Sequence, residues 1–190
     1  MDDQKKSVKN VTDGQHPHWE NHWNSHSELW NEPPSEVAVR AFQQFQTDGK
    51  SIILELGGGM GRDTIFFAQN GIQVYVVEYT KVSVETIKRK AESLNLTRSV
   101  HVLQHDVRKP LPFDPNFFDG CYSHMLYCMA FNKKELEFLS EEVNRVLKNK
   151  GLNIFTVRNT NDPLYGTSKQ KDGDLYEVQG FILHFFDKEK

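Results

Sequence analysis

Residues 51–61 read Ser-Ile-Ile-Leu-Glu-Leu-Gly-Gly-Gly-Met-Gly. A short apolar run of strand length breaks at once into four glycines within five residues, 57–61, and residues 62–70 then read as a short helix. Gly71 suits the left-handed position just past that helix. The β-branched run Ile-Gln-Val-Tyr-Val-Val at 72–77 predicts a second strand. Strand, glycine turn, helix, strand is the start of a parallel sheet with crossover helices.

The same alternation continues downstream. Residues 81–94 predict a helix with Val84, Ile87, Ala91 and Leu94 inside and Lys81, Glu85, Lys88 and Glu92 outside. Strands are expected at 100–104, 117–123 and 151–157, with a proline-bearing loop at 108–116. Asn132 with Glu135 three residues on reads as a helix start, followed by an apolar face of Leu136, Leu139, Val143, Val146 and Leu147. Residues 158–180 are polar and turn-rich and read as a surface loop, and 181–186 as a last apolar stretch of strand character. Upstream, 35–46 predicts a helix, with Ala38, Ala41, Phe42 and Phe45 on one face. The implied fold class is α/β: an open, mostly parallel sheet with helices on both faces, in three αβα layers. Such sheets bind ligands at the carboxyl ends of their strands.

The chain has 190 residues, 37% hydrophobic and 26% charged, so one packed domain needs no disulfide or structural metal. A net charge of −3 argues against a nucleic-acid partner. No apolar run reaches the roughly 20 residues of a membrane span. Cys121 and Cys128 make neither a disulfide framework nor a metal motif, which fits a reducing cytoplasm. Three parts are expected: a disordered tail at 1–15, a helical lid at 16–48, and a ligand-binding domain at 49–190.

The glycine loop does not match the dinucleotide fingerprint, which needs a third glycine five residues after the first. Counting from Gly57 that position is Arg62, and from Gly59 it is Thr64. The phosphate-loop pattern is also absent. Instead Glu78 ends the second strand, where a carboxylate can accept both hydroxyls of a ribose. Asp106 ends the third, where it can accept from an adenine amino group. Acids on two strand tips beside a glycine loop form a constellation that either acid alone does not.

These residues resemble the class I S-adenosyl-L-methionine-dependent methyltransferases, whose fold is Rossmann-like. The resemblance runs from about 51 to 158 and rests on four features. They are ELGGGMG at 55–61, Glu78, Asp106 followed by LPFDPNFFD at 111–119, and EVNRVLKNKGLNIFTV at 142–157. It implies S-adenosyl-L-methionine as cofactor. Glu55, Gly57, Gly58, Gly59 and Gly61 would frame its methionine part, Glu78 would hold the ribose, and Tyr79 would pack nearby. Asp106 and the Val107 backbone would read adenine, and Ser123 and His124 would face the sulfonium. Family members end with a helix and a hairpin on the far sheet edge. None is visible in the closing HFFDKEK, so the C-terminal edge is expected to be incomplete. That leaves a shortened chain, or an exposed edge through which a homodimer forms.

Methyl transfer is an in-line displacement in which alignment supplies much of the acceleration. A general base is needed only for a protonated acceptor. His124 is the candidate base, against a plain strand-end histidine, and Tyr127 lines the acceptor pocket or simply packs. His18, His22 and His26 fall at helical spacing, as do Trp19, Trp23 and Trp30. They read as an aromatic lid with a polar histidine side, or as a metal face lacking a carboxylate or thiolate at suitable spacing; the lid reading predicts no metal. The leading function is methyl transfer to a small molecule with a soft or anionic acceptor atom. The chain's flanks look similar to the tellurite-resistance and thiopurine groups. The alternatives are a non-catalytic cofactor-binding module and, more weakly, a dinucleotide oxidoreductase.

Overall fold

In the computed structural model of the chain, the described residues are 14–26 and 31–188. Most of the expected tail at 1–15, and Trp30 of the expected lid, lie outside them. Gln15 is no part of a tail: it opens helix α1 (Gln15–Ser25).

The chain continues through α2 (Glu36–Thr47), β1 (Ile52–Leu56), α3 (Arg62–Gln69), β2 (Gln73–Glu78), α4 (Lys81–Ser93), β3 (Val100–Gln104) and β4 (Phe118–His124). Then come α5 (Lys133–Val146), β5 (Leu147–Thr156), β6 (Lys169–Asp172), β7 (Leu175–Val178) and β8 (Phe181–His184). The first five strands form one parallel sheet in the order β3-β2-β1-β4-β5. Order reverses at β1, so a crevice opens between β1 and β4 at their carboxyl ends.

The period-two alternation of the strands sorts the core into two layers. Ile53, Val74, Val76, Val100 and Tyr122 face Ala38 and Phe45 of α2, Ile65 and Phe67 of α3 and Ile87 of α4. Leu54, Leu56, Val77 and Cys121 face Leu139, Val143 and Val146 of α5 and the loop residues Val107 and Leu111. Helices therefore cover both faces of the sheet. Asn132 caps α5 through a full capping box with Glu135.

Two expectations are corrected. Residues 158–180 are not all loop: β6, β7 and β8 make a separate antiparallel sheet. Its hairpins turn on two-residue connections, Gly173-Asp174 and Gln179-Gly180, and both Gln179 and Gly180 have positive φ (53° and 87°). β5 begins at Leu147, directly after α5, rather than at 151. Its register slips between Leu147 and Leu152, with Lys150 at φ 64°. Among the described strands β5 pairs with β4 alone; just past it Phe186 N–H donates to Arg158 O at 2.9 Å and Thr160 N–H to Phe186 O at 3.0 Å, and the small sheet also attaches at the turn after β4. There His184 N–H donates to Cys128 O at 2.8 Å, and Leu183 and Phe185 pack against Met129.

One buried carboxylate joins α2, α3 and β4. Asp63 accepts from Ser35 N–H (2.8 Å), the Ser35 hydroxyl (2.8 Å) and the Tyr122 hydroxyl (2.7 Å). Ser35 also caps α2 by accepting from Ala38 N–H at 3.0 Å. Asp63→Ala strands three donors at once. It is expected to cost about 1–3 kcal/mol in urea unfolding, more than Ser35→Ala.

Candidate functional site

The loop after β1 is pressed against its neighbours because four of its five residues, 57–61, have no side chain. Gly57 N–H continues the ladder to Val77 O at 2.8 Å. A Cβ on Gly58 would lie 2.5 Å from Val76 Cγ2, and one on Gly61, at φ 80°, 2.7 Å from Ile87 Cγ1. Gly58 and Gly61 thus seat the loop on β2 and α4. Gly57 and Gly59 line a cavity of about 260 Å³ at the strand ends.

Glu78 lines that cavity from the tip of β2 and is 4% exposed. Its Oε1 accepts from Thr80 N–H and the Thr80 hydroxyl, both at 2.9 Å, and its Oε2 from Gly59 N–H at 3.1 Å. Burial pushes its carboxyl above the usual range, while these donors pull it back. Asp106 lines the cavity from beyond β3. Arg108 grips it with Nε at 3.0 and 3.1 Å, Nη2 at 2.8 Å and its backbone N–H at 3.0 Å. Burial raises the Asp106 carboxyl, but Arg108 outweighs it and the net shift is downward. Tyr79, Val107 and His105 also line this end. His105 Nε2 is buried without a partner among the described residues.

The β4 end is apolar: Met125, Leu126, Met129, Ala130 and Phe131 line it, with His124 the polar exception. His124 Nδ1 lies 2.9 Å from Thr156 Oγ1. Burial holds its imidazole below the ordinary range; Asp63 pulls it up and Arg62 pushes it down.

Helix α1 closes the cavity with Gln15, Trp19 and Trp23. Trp23 covers Gly59, where a Cβ would come within 3.2 Å of its ring. Trp19 packs on Phe181 of β8 at 4.4 Å between ring centroids, and His18 at 4.2 Å. Three polar side chains strap the helix down. Gln15 pairs with Gly180 O and Ile182 N–H, His16 bonds Tyr79 O, and Glu20 accepts from Lys81 N–H and Val82 N–H, both at 2.9 Å. The histidine rings are occupied in packing, His22 stacking on His26 at 4.3 Å. Among the described residues no group of three His, Cys, Asp or Glu is placed to hold a metal ion.

Of the residues singled out from sequence, Gly57, Gly59, Glu78, Tyr79, Asp106, Val107 and His124 meet at the cavity. Five others do not line it: Gly58 and Gly61, which pack against Val76 and Ile87, and Glu55, Ser123 and Tyr127. Glu55 points to Thr64, its Oε2 2.5 Å from the hydroxyl, and burial pushes its carboxyl up to about 8. Ser123 is fully buried, and Tyr127 lies in the core with its ring 4.8 Å from Phe155. Arg108, Glu20, His105 and Thr156 were not anticipated. Arg108, two residues past Asp106, had a visible local signal in that Asp-x-Arg spacing; the others had none.

The family described as "Methyltransferase domain" matches residues 53–151, just over half of the chain. The chain belongs to this family of class I S-adenosyl-L-methionine-dependent methyltransferases. No curated protein matches its sequence. Among solved structures it is similar to a Pyrococcus horikoshii protein, with TM-score 0.65, 18% identity, and coverage of 89% of this chain and 84% of that one. It is similar also to a Methanococcus maripaludis protein provisionally described as an S-adenosyl-L-methionine-dependent methyltransferase, with TM-score 0.61, 17% identity, and coverage of 73% and 64%. A third is the [4+2]-cyclase SpnF, with TM-score 0.57, 22% identity, and coverage of 65% and 46%. The chain thus spans less than two thirds of the length of the last two. At these identities the likeness shows the fold.

Two outcomes are expected. Glu20→Ala removes the cap of α4 and the strap of the lid together, at about 1 kcal/mol, so α1 amides should exchange roughly fivefold faster with deuterium. Glu55 holds a proton in the folded chain that the unfolded chain releases. Its contribution to stability is complete below about pH 4.5 and declines as pH rises toward about 8. Glu55→Gln should flatten that decline, as read from urea midpoints at the two ends of the range.

Proposed function

We propose that this chain binds S-adenosyl-L-methionine in the cavity at the strand ends and transfers its methyl group to a small molecule. The observation that carries the reading is Glu78. Its buried carboxylate is fixed on the cavity wall by Gly59 N–H and by both donors of Thr80, with Tyr79 N–H also favouring its charge. An acid held in place in this way, lining the cavity beside two bare glycines, suits a ribose hydroxyl. The residues present fit the cofactor with one adjustment: Asp106 meets adenine as a carboxylate already gripped by Arg108, so that pair, with the Val107 backbone, would form the base-binding wall. Tyr79 would pack beside it. Gly57 and Gly59 would admit the methionine part, with Gly58 and Gly61 holding the loop in shape. Glu55 and Ser123 would act from behind the wall rather than on the ligand.

When bound, the cofactor supplies a methyl on a sulfonium sulfur, so that an acceptor lone pair forms the new bond to carbon as the carbon–sulfur pair returns to sulfur. The chain's part is orientation and exclusion of water. Indole faces at Trp19 and Trp23 suit a sulfonium cation. The thioethers of Met125 and Met129 and the apolar wall beside them favour a small acceptor with a soft or anionic atom. No helix among the described residues is long and apolar enough to cross a membrane. Free, buried Cys121 and Cys128 accord with a cytoplasmic location. The outer edge of β5, where Phe155 is 47% exposed, is where a second copy would pair.

Titration calorimetry tests the reading. S-adenosylhomocysteine is expected to bind in the micromolar range and NAD not at all. Glu78→Ala should weaken binding about 10–100-fold, the worth of one charge-assisted hydrogen bond or slightly more. Absence of binding at millimolar ligand sinks the proposal. Binding without product release on any thiol or selenol acceptor leaves a cofactor-binding module instead.

A further inference from the structure

We propose that Thr156 is a positioning residue. Its hydroxyl donates to His124 Nδ1 and so fixes the imidazole with its proton on Nε2, the nitrogen left for the cavity. The argument begins with register. Thr156 of β5 is the direct cross-strand partner of His124 of β4, so both side chains stand on the same face of the sheet. The two polar atoms are 2.9 Å apart. The next residue, Met125, has φ 64°, a left-handed conformation uncommon for a side-chain-bearing residue, and its N–H donates to the same Thr156 oxygen at 3.0 Å.

A threonine hydroxyl has one proton and two lone pairs. Met125 occupies one lone pair. If His124 Nδ1–H took the other, the hydroxyl proton would have no acceptor among the described residues. If the hydroxyl donates to Nδ1, the hydroxyl, Nδ1 and Met125 N–H are all satisfied. Burial keeps the ring neutral, so it carries a single N–H, and that N–H falls on Nε2.

The consequence narrows the acceptor. His124, read from sequence as a general base, becomes a hydrogen-bond donor and cannot take a proton through Nε2. The other candidates are elsewhere. Tyr127 is in the core, Asp106 is held by Arg108, and Glu78, two strands from β4, is held by Gly59 and Thr80. His105 follows β3, three strands from β4, or roughly 14 Å at the usual strand spacing. The acceptor atom must therefore arrive with its lone pair already free, as a thiolate or selenolate does, and the His124 N–H would meet and orient that charge. This last step rests on the methyltransferase reading; the tautomer does not.

Imidazole ¹⁵N–¹H correlation spectra of the full chain decide it, with His124→Asn identifying the His124 signals. The wild type and Thr156→Ser, which keeps the hydroxyl, are expected to carry the proton on Nε2. Thr156→Val, which keeps the shape and loses the donor, should move it wholly or partly to Nδ1. A wild-type proton on Nδ1, or shared equally, overturns the proposal, as does a folded Thr156→Val variant with the wild-type pattern. Should that variant not fold, the wild-type and serine spectra decide alone. Calorimetry with S-adenosylhomocysteine probes the underlying reading separately, so failure of one is distinguishable from failure of the other.

Discussion

The arrangement of the site follows from the demand of one buried carboxylate for donors. Glu78 is almost wholly removed from water, where an unpaired charge is costly. It draws on Gly59 N–H, which pins the glycine loop to the tip of β2, and on both donors of Thr80. Thr80 is the N-cap residue of α4, and its side chain bonds to Glu78 and makes no capping hydrogen bond. The first amides of α4 are left open, and Glu20 of α1 fills them. The lid is therefore attached at amides that the N-cap residue beside the site's own acid leaves open. This matters because α1 has 11 residues, none buried, and no side-chain cap. A helix of that length is marginal in water by itself. Its order comes from Glu20, Gln15 and His16 and from the packing of His18 and Trp19 on Phe181.

The parallel sheet was legible because each of its strands is a strong apolar run separated from the next by a helix with a clear face. The glycine loop and the two strand-tip acids followed from position alone. What was not legible depended on contacts between distant segments. Nothing in the residues around Glu20 says that it caps a helix some sixty positions away. Residues 169–178 looked like loop because β6 and β7 have four residues each, in a polar stretch. Only Leu175 and Val178 of β7 are buried, and the Asp172-Gly173 step was the available turn signal. Tyr127 illustrates another limit. From sequence it follows a strand that ends at the site, but the left-handed turn at Met125 redirects the chain and Tyr127 joins the core beside Phe155.

The cavity inherits its polarity from strand order. β2 and β3 are adjacent, so Glu78, Asp106 and Arg108 gather at one end. β4 lies on the other side of β1, so its Met- and Leu-bearing turn makes the opposite wall. A ligand with a polar, hydrogen-bonding half and a reactive apolar half would lie across β1 along that gradient, over the glycines. Fold alone does not choose the chemistry performed there, since the same architecture hosts unrelated reactions. The discriminating residues are those at the apolar end, where His124 stands alone among thioethers and aliphatic side chains.

His124 is tied to an edge strand of the sheet. Its Nδ1 partner, Thr156, is the last residue of β5, and β5 pairs with β4 alone among the described strands. Edge strands and strand ends open more readily than central ones. The central strands that carry Glu78 and the glycine loop are held on both sides. The placing of His124 depends on how well the end of β5 stays in register. Anything that lies along the outer edge of β5 would steady Thr156, and through it His124. The open edge and the His124 end of the cavity are thus linked through a single hydrogen bond.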